Sequence, residues 1–207
     1  CAAFVGASLL EAKDNTGSEL SPRFIYGNRL ENEGMSARDL MRIISKSGTG
    51  TVLETECPYD TITTPLSIKS FVNSTKYKLT GSYVCVYSDS SYLANTAIED
   101  LVLGALREHG PLLIAVPVYG YENPRIWKKT LMQNKSLGGH AMTIVGYTPK
   151  TASKEASFRI RNSWSSEWNG DGHVDIPISD LGCMWECWAG TSVVPNNDPR
   201  PTITEQS

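Results

Sequence analysis

A thiol, an imidazole and a carboxamide stand on three separate stretches of this chain. They are Cys1-Ala2-Ala3-Phe4 at the start, Gly138-Gly139-His140-Ala141 far downstream and Arg161-Asn162-Ser163-Trp164 shortly after. Cysteine attacks carbonyl carbon as the thiolate, and its unperturbed pKa of about 8.5 leaves little of that form at neutral pH. A neighbouring His and a helix N-terminus together shift the balance by several units. Three such side chains on distant segments make chemical sense if folding unites them, as in an enzyme that works through a covalent intermediate. Each residue alone has a plainer reading. His140 follows two glycines and precedes an apolar strand, as a core histidine would. Asn162 suits a strand end, Trp164 and Trp168 suit packing, and Cys1 suits an inert buried thiol.

The elements that must carry these groups are visible in the pattern. Cys1 to Lys13 is apolar nearly all round, which predicts a buried central helix ended by the turn residues Asp14-Asn15-Thr16-Gly17. Ser36, with Asp39 in the first turn and Leu40, Met41, Ile43 and Ile44 on one face, predicts a second helix stopped at Gly48. Thr96-Ala97-Ile98-Glu99 reads as a capping box opening a third helix, broken at Gly110-Pro111. Leu112–Val118 then reads as a buried strand, with further strands at 141–147, 157–161 and 173–176. Helices early and strands late predict an α+β protein of two lobes, 1–75 mainly helical and 76–190 mainly β, with a polar tail over 191–207.

The 207 residues suffice for one large domain or two packed lobes, and no apolar run is long enough to span a bilayer. The net charge of -3 without a basic block argues against nucleic acid and anionic membrane surfaces as partners. With Cys1 set aside, Cys57, Cys85, Cys183 and Cys187 are an even number, which points to two disulfides and a secreted or other oxidising, lytic compartment. Cys57–Cys85 with Cys183–Cys187 is the simplest of three pairings. The alternative is four reduced thiols acting as small hydrophobes. No Cys-x-x-Cys pair or nearby His suggests a metal, and no cofactor is expected.

Taken together, Cys1-Ala2-Ala3-Phe4, Gly138-Gly139-His140-Ala141 and the run Asn162–Gly172 resemble the papain-like cysteine peptidases. So do Leu20–Tyr26, Pro58-Tyr59 and His109-Gly110-Pro111, so that the resemblance covers nearly the whole chain. It implies a papain-like two-lobe fold, a helical lobe with a central buried helix packed against an antiparallel, barrel-like β lobe. It makes Cys1 the nucleophile at the head of the central helix and His140 its ion-pair partner and acid. Asn162 would orient the imidazole, with Trp164 covering that contact. A polypeptide substrate would lie extended between the lobes and form a thioester that water hydrolyses. Gly34 and Met35 would take the place of the family's Gly-Cys-rich substrate-backbone segment, and Gly139 would leave a small neighbour facing the acyl pocket.

Three departures qualify this. The family's oxyanion Gln lies upstream of the nucleophile, whereas the Gln residues here are Gln133 and Gln206. Loss of one such donor commonly costs about 100- to 1000-fold in rate. The missing donor would come from a pro- or N-terminal segment docked on this chain. Truncation at Cys1, or an N-terminal nucleophile using its own amine as base, are the alternatives. Ala2 stands where the family usually has Trp, opening the leaving-group side. The Gly-Cys-rich segment is replaced by Glu33-Gly34-Met35-Ser36. Two other functions share the pattern: an acyltransferase or ligase in which an amine resolves the thioester, and a catalytically dead binding module. Cleavage preference and oligomeric state are not legible.

Overall fold

The computed structural model describes residues 1–13, 17–30, 34–59, 66, 68–89, 92–129 and 135–191. The expected turn at 14–16, Glu33, Gln133 and the C-terminal tail lie outside the described residues. The chain divides into two compact units at Val84/Cys85, later than the expected 75/76 boundary, and Gly190 and Thr191 belong with the first. That return is held by two hydrogen bonds: Thr191 N–H donates to Ser82 C=O at 2.9 Å, and Ser82 N–H donates to the Thr191 side-chain Oγ1 at 2.9 Å.

The first unit is mainly helical. Helix α1 spans Ala2–Glu11 with Cys1 as its N-cap and buries Ala2, Ala3, Val5, Gly6, Ala7, Leu9 and Leu10. It packs on α2 (Pro22–Gly27) and α3 (Ala37–Ile44). Gly6 permits that approach, because a Cβ there would stand 2.5 Å from Leu40 Cδ1 and 3.2 Å from Ile25 Cδ1. Ser21 caps α2, accepting from Phe24 N–H at 3.1 Å while donating to Cys57 C=O at 2.6 Å, with Pro22 in the first turn. Ser36 caps α3 by accepting from Asp39 N–H at 3.1 Å. The helix ends at Ile44, before Gly48. Gly48 lies against the freed carbonyls instead, where a Cβ would meet Arg42 O and Ile43 O at 2.1 Å. A short helix, α4, follows at Ile68–Ser74.

The second unit is built on a six-stranded sheet in the order β1-β6-β2-β3-β4-β5. Its strands are β1 (Tyr83–Ser88), β2 (Leu112–Val118), β3 (Gly138–Thr148), β4 (Ser157–Arg161), β5 (His173–Pro177) and β6 (Glu186–Gly190). The pairs β2/β3, β2/β6, β3/β4 and β4/β5 are antiparallel. One core joins Leu112, Ile114 and Val116 to Met142, Ile144, Phe158 and Ile160, covered by Ile98, Val102 and Leu106 of helix α5 (Asn95–His109).

The expected capping box of α5 does not form. Ala94 is the N-cap and gives no side-chain cap, so the helix starts one residue before Thr96. Asn95 Nδ2 donates to Ser179 C=O at 3.0 Å, and the Glu99 carboxylate accepts from Tyr147 OH at 2.5 Å. Burial, with that hydrogen bond and the Glu99 charge, pushes the Tyr147 phenol up to about 12.

The expected disulfides are absent: none of the five cysteines is bridged to another. Cys57 is buried in the first unit with Phe24 and Val52, and Cys85 belongs to the second. Burial pushes the Cys183 thiol up to about 12 and raises that of Cys187 as well, so both are held as neutral small hydrophobes. No helix among the described residues is long and apolar enough to cross a membrane.

Candidate active site

His140 is the third residue of β3, paired with Val116, and only 7% exposed. Asn162 directly follows β4, is 6% exposed, and opens the 162–172 loop that returns the chain to β5. The loop closes on itself, with Asn162 N–H donating to Gly172 C=O at 2.9 Å and Gly172 N–H donating to Trp168 C=O at 2.6 Å. Gly172 has φ 76°, and a Cβ there would stand 3.0 Å from Ser165 O, so a side chain would be strained on both counts. Ser165 Oγ accepts from Trp168 N–H at 3.0 Å, and Asn169 Nδ2 donates to His173 C=O at 2.6 Å. His173 sets its Nδ1 2.7 Å from Asp171 O and so braces the same loop. Asp171 also pairs with Arg159 of β4.

The loop presents Asn162 to His140, with Oδ1 lying 2.8 Å from Nε2. Ser163 N–H also points at Oδ1, at 2.8 Å. A backbone N–H requires an acceptor, so this atom is the amide oxygen and Nε2 must carry the hydrogen. In the neutral imidazole the lone pair then resides on Nδ1. Burial pushes the His140 imidazolium below its ordinary value of 6.5, and the Asn162 hydrogen bond acts the other way. Trp164 lies over the imidazole at 4.8 Å between ring centres, tilted 38°, and Trp168 meets Trp164 edge-on at 5.5 Å. The expected grouping of His140, Asn162 and Trp164 is therefore present within the second unit.

Cys1, in the first unit, is exposed at the head of α1, and its carbonyl accepts from Val5 N–H at 3.1 Å. The sulfur thus sits at the positive end of a ten-residue helix with no acidic residue in its first turn. Gly34 is exposed and Met35 half-buried. Gly34 lies on a recess of about 180 Å³ shared with Ser36, Arg38, Asp39 and Arg42. Gly139, the small residue before His140, is exposed. The space a side chain would take is filled by the Trp185 ring, whose Cζ3 would be 2.7 Å from a Cβ.

Ser163, Trp185 and Tyr121 were not anticipated. Ser163 acts through its backbone, which carries no sequence signal. Tyr121 lies just beyond β2, whose end pairs Val118 with Gly138 at the start of the His140 strand. A Tyr-Gly-Tyr at that strand end was the available clue.

Residues 31–189 match the papain family cysteine protease. The chain belongs to the papain family. A stretch of 96 residues, 46% of this chain, is 31% identical to a cysteine proteinase of Trypanosoma brucei brucei, and the chain spans about a fifth of that relative's length, 21%. The papain-like fold is shared with xylellain, a cysteine protease from Xylella fastidiosa. That likeness has a TM-score of 0.68 and 22% identity, over 94% of this chain and 80% of that one. It is shared also with the ragweed pollen allergen Amb a 11 cysteine protease in its proform. There the TM-score is 0.63 and the identity 16%, over 93% of this chain and 58% of that one. Among the described residues of this papain-family chain, no group of three or more His, Cys, Asp and Glu is placed to hold a metal.

Proposed function

We propose that this chain is a cysteine peptidase acting on polypeptides, with Cys1 as nucleophile, His140 as acid and base, Asn162 orienting the imidazole and Trp164 shielding that contact. The observation that carries the reading is the buried Nε2–H to Oδ1 hydrogen bond, which dedicates Nδ1 to proton transfer. Nδ1 takes the Cys1 thiol proton, and the thiolate attacks the scissile carbonyl carbon. As the tetrahedral intermediate collapses the C–N bond breaks, and Nδ1–H protonates the departing amine. A water then gives its proton to Nδ1 and adds to the thioester. The C–S bond breaks, releasing the acid and returning the thiol. Gly34 and Met35 flank the substrate backbone, and Gly139 lies on the acyl side beneath Trp185. A pro- or N-terminal segment docked on the chain supplies the oxyanion Gln, in keeping with a family whose members include a proform.

The test is iodoacetamide labelling near pH 6 with peptide mapping. Cys1 is expected to alkylate far faster than Cys57, Cys85, Cys183 and Cys187, and His140→Ala to remove that speed. Equal labelling of all accessible thiols, and only at alkaline pH, would refute the peptidase and leave a binding module. Products formed with an added amine acceptor distinguish hydrolysis from acyl transfer.

A further inference from the structure

The far end of the loop that carries Asn162 is held by charge more than by packing. Around Asp171 the backbone runs in the left-handed region, with φ 53° at Asn169, 89° at Gly170 and 76° at Gly172. Asn169, Gly170 and Asp171 are all exposed, so burial does little to fix this stretch. Side chains fix it instead. The Asp171 carboxylate pairs with the Arg159 guanidinium of β4 and accepts from His173 N–H at 3.1 Å. The Asp171 carbonyl accepts from His173 Nδ1 at 2.7 Å. Arg159 also reaches Asp175 Oδ1 of β5 at 3.3 Å, and Lys154 Nζ meets Asp175 Oδ2 at 3.4 Å. Arg159, Lys154, Asp171, Asp175 and His173 are thus the ionisable groups gathered at this loop end.

The cluster is one residue from the site. Gly172, next to Asp171, offers its carbonyl to Asn162 N–H at 2.9 Å, and Asn162 Oδ1 accepts from His140 Nε2–H at 2.8 Å. A shift of Asp171 therefore shifts the peptide that holds Asn162. Phe158 and Ile160 belong to the core, which puts the alternating Arg159 on the opposite face of β4. An ion pair between side chains 38% and 54% exposed adds little to stability. Its place beside the Asn162 anchor gives it a geometric use. We infer that Asp171, clamped by Arg159, is a positioning residue for the His140–Asn162 pair, and that activity falls as salt loosens the clamp. This deepens the peptidase reading and rests on it.

The test measures kcat/KM on one uncharged peptide across the pH range, with active enzyme counted by Cys1 alkylation. It is run at low salt and at about 1 M, where the Debye length shrinks to about 3 Å. A displaced Asn162 gives the imidazolium less support. In Asp171→Asn and Arg159→Gln alike the alkaline limb should therefore move to lower pH. At low salt kcat/KM should fall about two- to fivefold in both, the range of an exposed ion pair. Charge acting through space would behave otherwise, because loss of a carboxylate lowers that limb and loss of a guanidinium raises it. Arg159→Lys keeps the charge and should keep the wild-type limb, as should Asp175→Asn, which leaves the Asp171 pair intact. High salt should lower wild-type kcat/KM by a similar factor and leave Asp171→Asn unchanged. Limbs that move oppositely in Asp171→Asn and Arg159→Gln, or stay in place in both, overturn the positioning role and leave the peptidase standing. So does an equal salt response in the wild type and Asp171→Asn, or an Arg159→Lys as impaired as Arg159→Gln. A loss in Asp175→Asn as large as in Asp171→Asn assigns the effect to the charge cluster as a whole and overturns the clamp. A wild type that cleaves no peptide overturns the peptidase reading, and this one with it.

Discussion

Replacing Asn162 in two ways makes the sharpest test of the site, because the replacements should move His140 in opposite directions. In the protein, Oδ1 accepts from His140 Nε2–H and from Ser163 N–H, both at 2.8 Å, under the Trp164 ring. A hydrogen bond to a charged group contributes about 1.5–3 kcal/mol, and water exclusion places this one toward the upper end. The imidazolium is the species that protonates the leaving amine, so Asn162→Ala removes that contribution where it is needed. At 1.36 kcal/mol per decade, kcat/KM should fall by about ten- to 150-fold. The same hydrogen bond raises the imidazolium pKa against burial, which lowers it. Without it, His140 loses its proton at lower pH, and the alkaline limb of the kcat/KM profile moves down. Asn162→Asp keeps an acceptor and adds a negative charge, which favours the imidazolium, so the alkaline limb moves up.

The assay is kcat/KM on one peptide across the pH range, with Cys1 alkylation followed in parallel. Stability separates a chemical role from a structural one. Asn162 Nδ2 is buried with no hydrogen-bond partner among the described residues, so Asn162→Ala loses two accepted bonds while relieving one buried orphan. The net cost should be about 1 kcal/mol, or a Tm lower by about 2–4 °C in a protein of this size. A pH limb that stays in place in both variants, or moves the same way in both, refutes the orienting role. So does an activity loss that tracks Tm alone.

Two further substitutions address the shield and the first unit. Trp164→Ala admits water to the His140–Asn162 bond, where a bond in water is worth less, and should lower kcat/KM about tenfold with the Tm nearly unchanged. Steady-state kinetics and a melting curve check it together. Gly48→Ala drives a methyl into the carbonyls of Arg42 and Ile43 at 2.1 Å, where backbone rather than a flexible side chain must yield. The expected cost is about 2–3 kcal/mol, seen as a Tm lower by about 4–12 °C, and an unchanged Tm would contradict the packing described.

Much of the scaffold was readable because local chemistry and tertiary packing agree there. Ser36 and Asp39 announced α3, and the buried run Leu112–Val118 and the segment 157–161 coincide with β2 and β4. The start of α5 was misread because Glu99 is drawn to Tyr147, a partner 48 residues away that no capping rule contains. β1 and β6 were missed, since Tyr83–Ser88 and Glu186–Gly190 become strands only by joining the far edge of the sheet. The cysteines misled through arithmetic. An even count suggested bridges, whereas Cys187 sits in an apolar core and Cys57 beside Phe24 and Val52. The type of each proposed catalytic residue was legible, but the amide orientation of Asn162, and with it the imidazole tautomer, depends on a backbone N–H.

The register of β3 and β4 shows how the sheet delivers that pair. Next to the site Thr143 faces Arg161 and Ile144 faces Ile160. Past Val145 the pairing becomes Gly146 with Arg159 and Thr148 with Ser157, so Val145 is an extra residue, a β-bulge. Continuing the first register one step brings Asn162 opposite Met142, on the face that Met142 shares with His140 two residues away. The two side chains are then diagonal neighbours across the strands, within reach for an Asn and a His. Continuing the second register would have set Asn162 opposite Thr143, on the other face of the sheet, since a one-residue slip reverses every side chain. Beyond the bulge the same shift lets Tyr147 pack on Phe158 at 5.1 Å, so both registers are used by the core. One inserted residue, its side chain 38% exposed, therefore reconciles the packing of β4 with the meeting of His140 and Asn162.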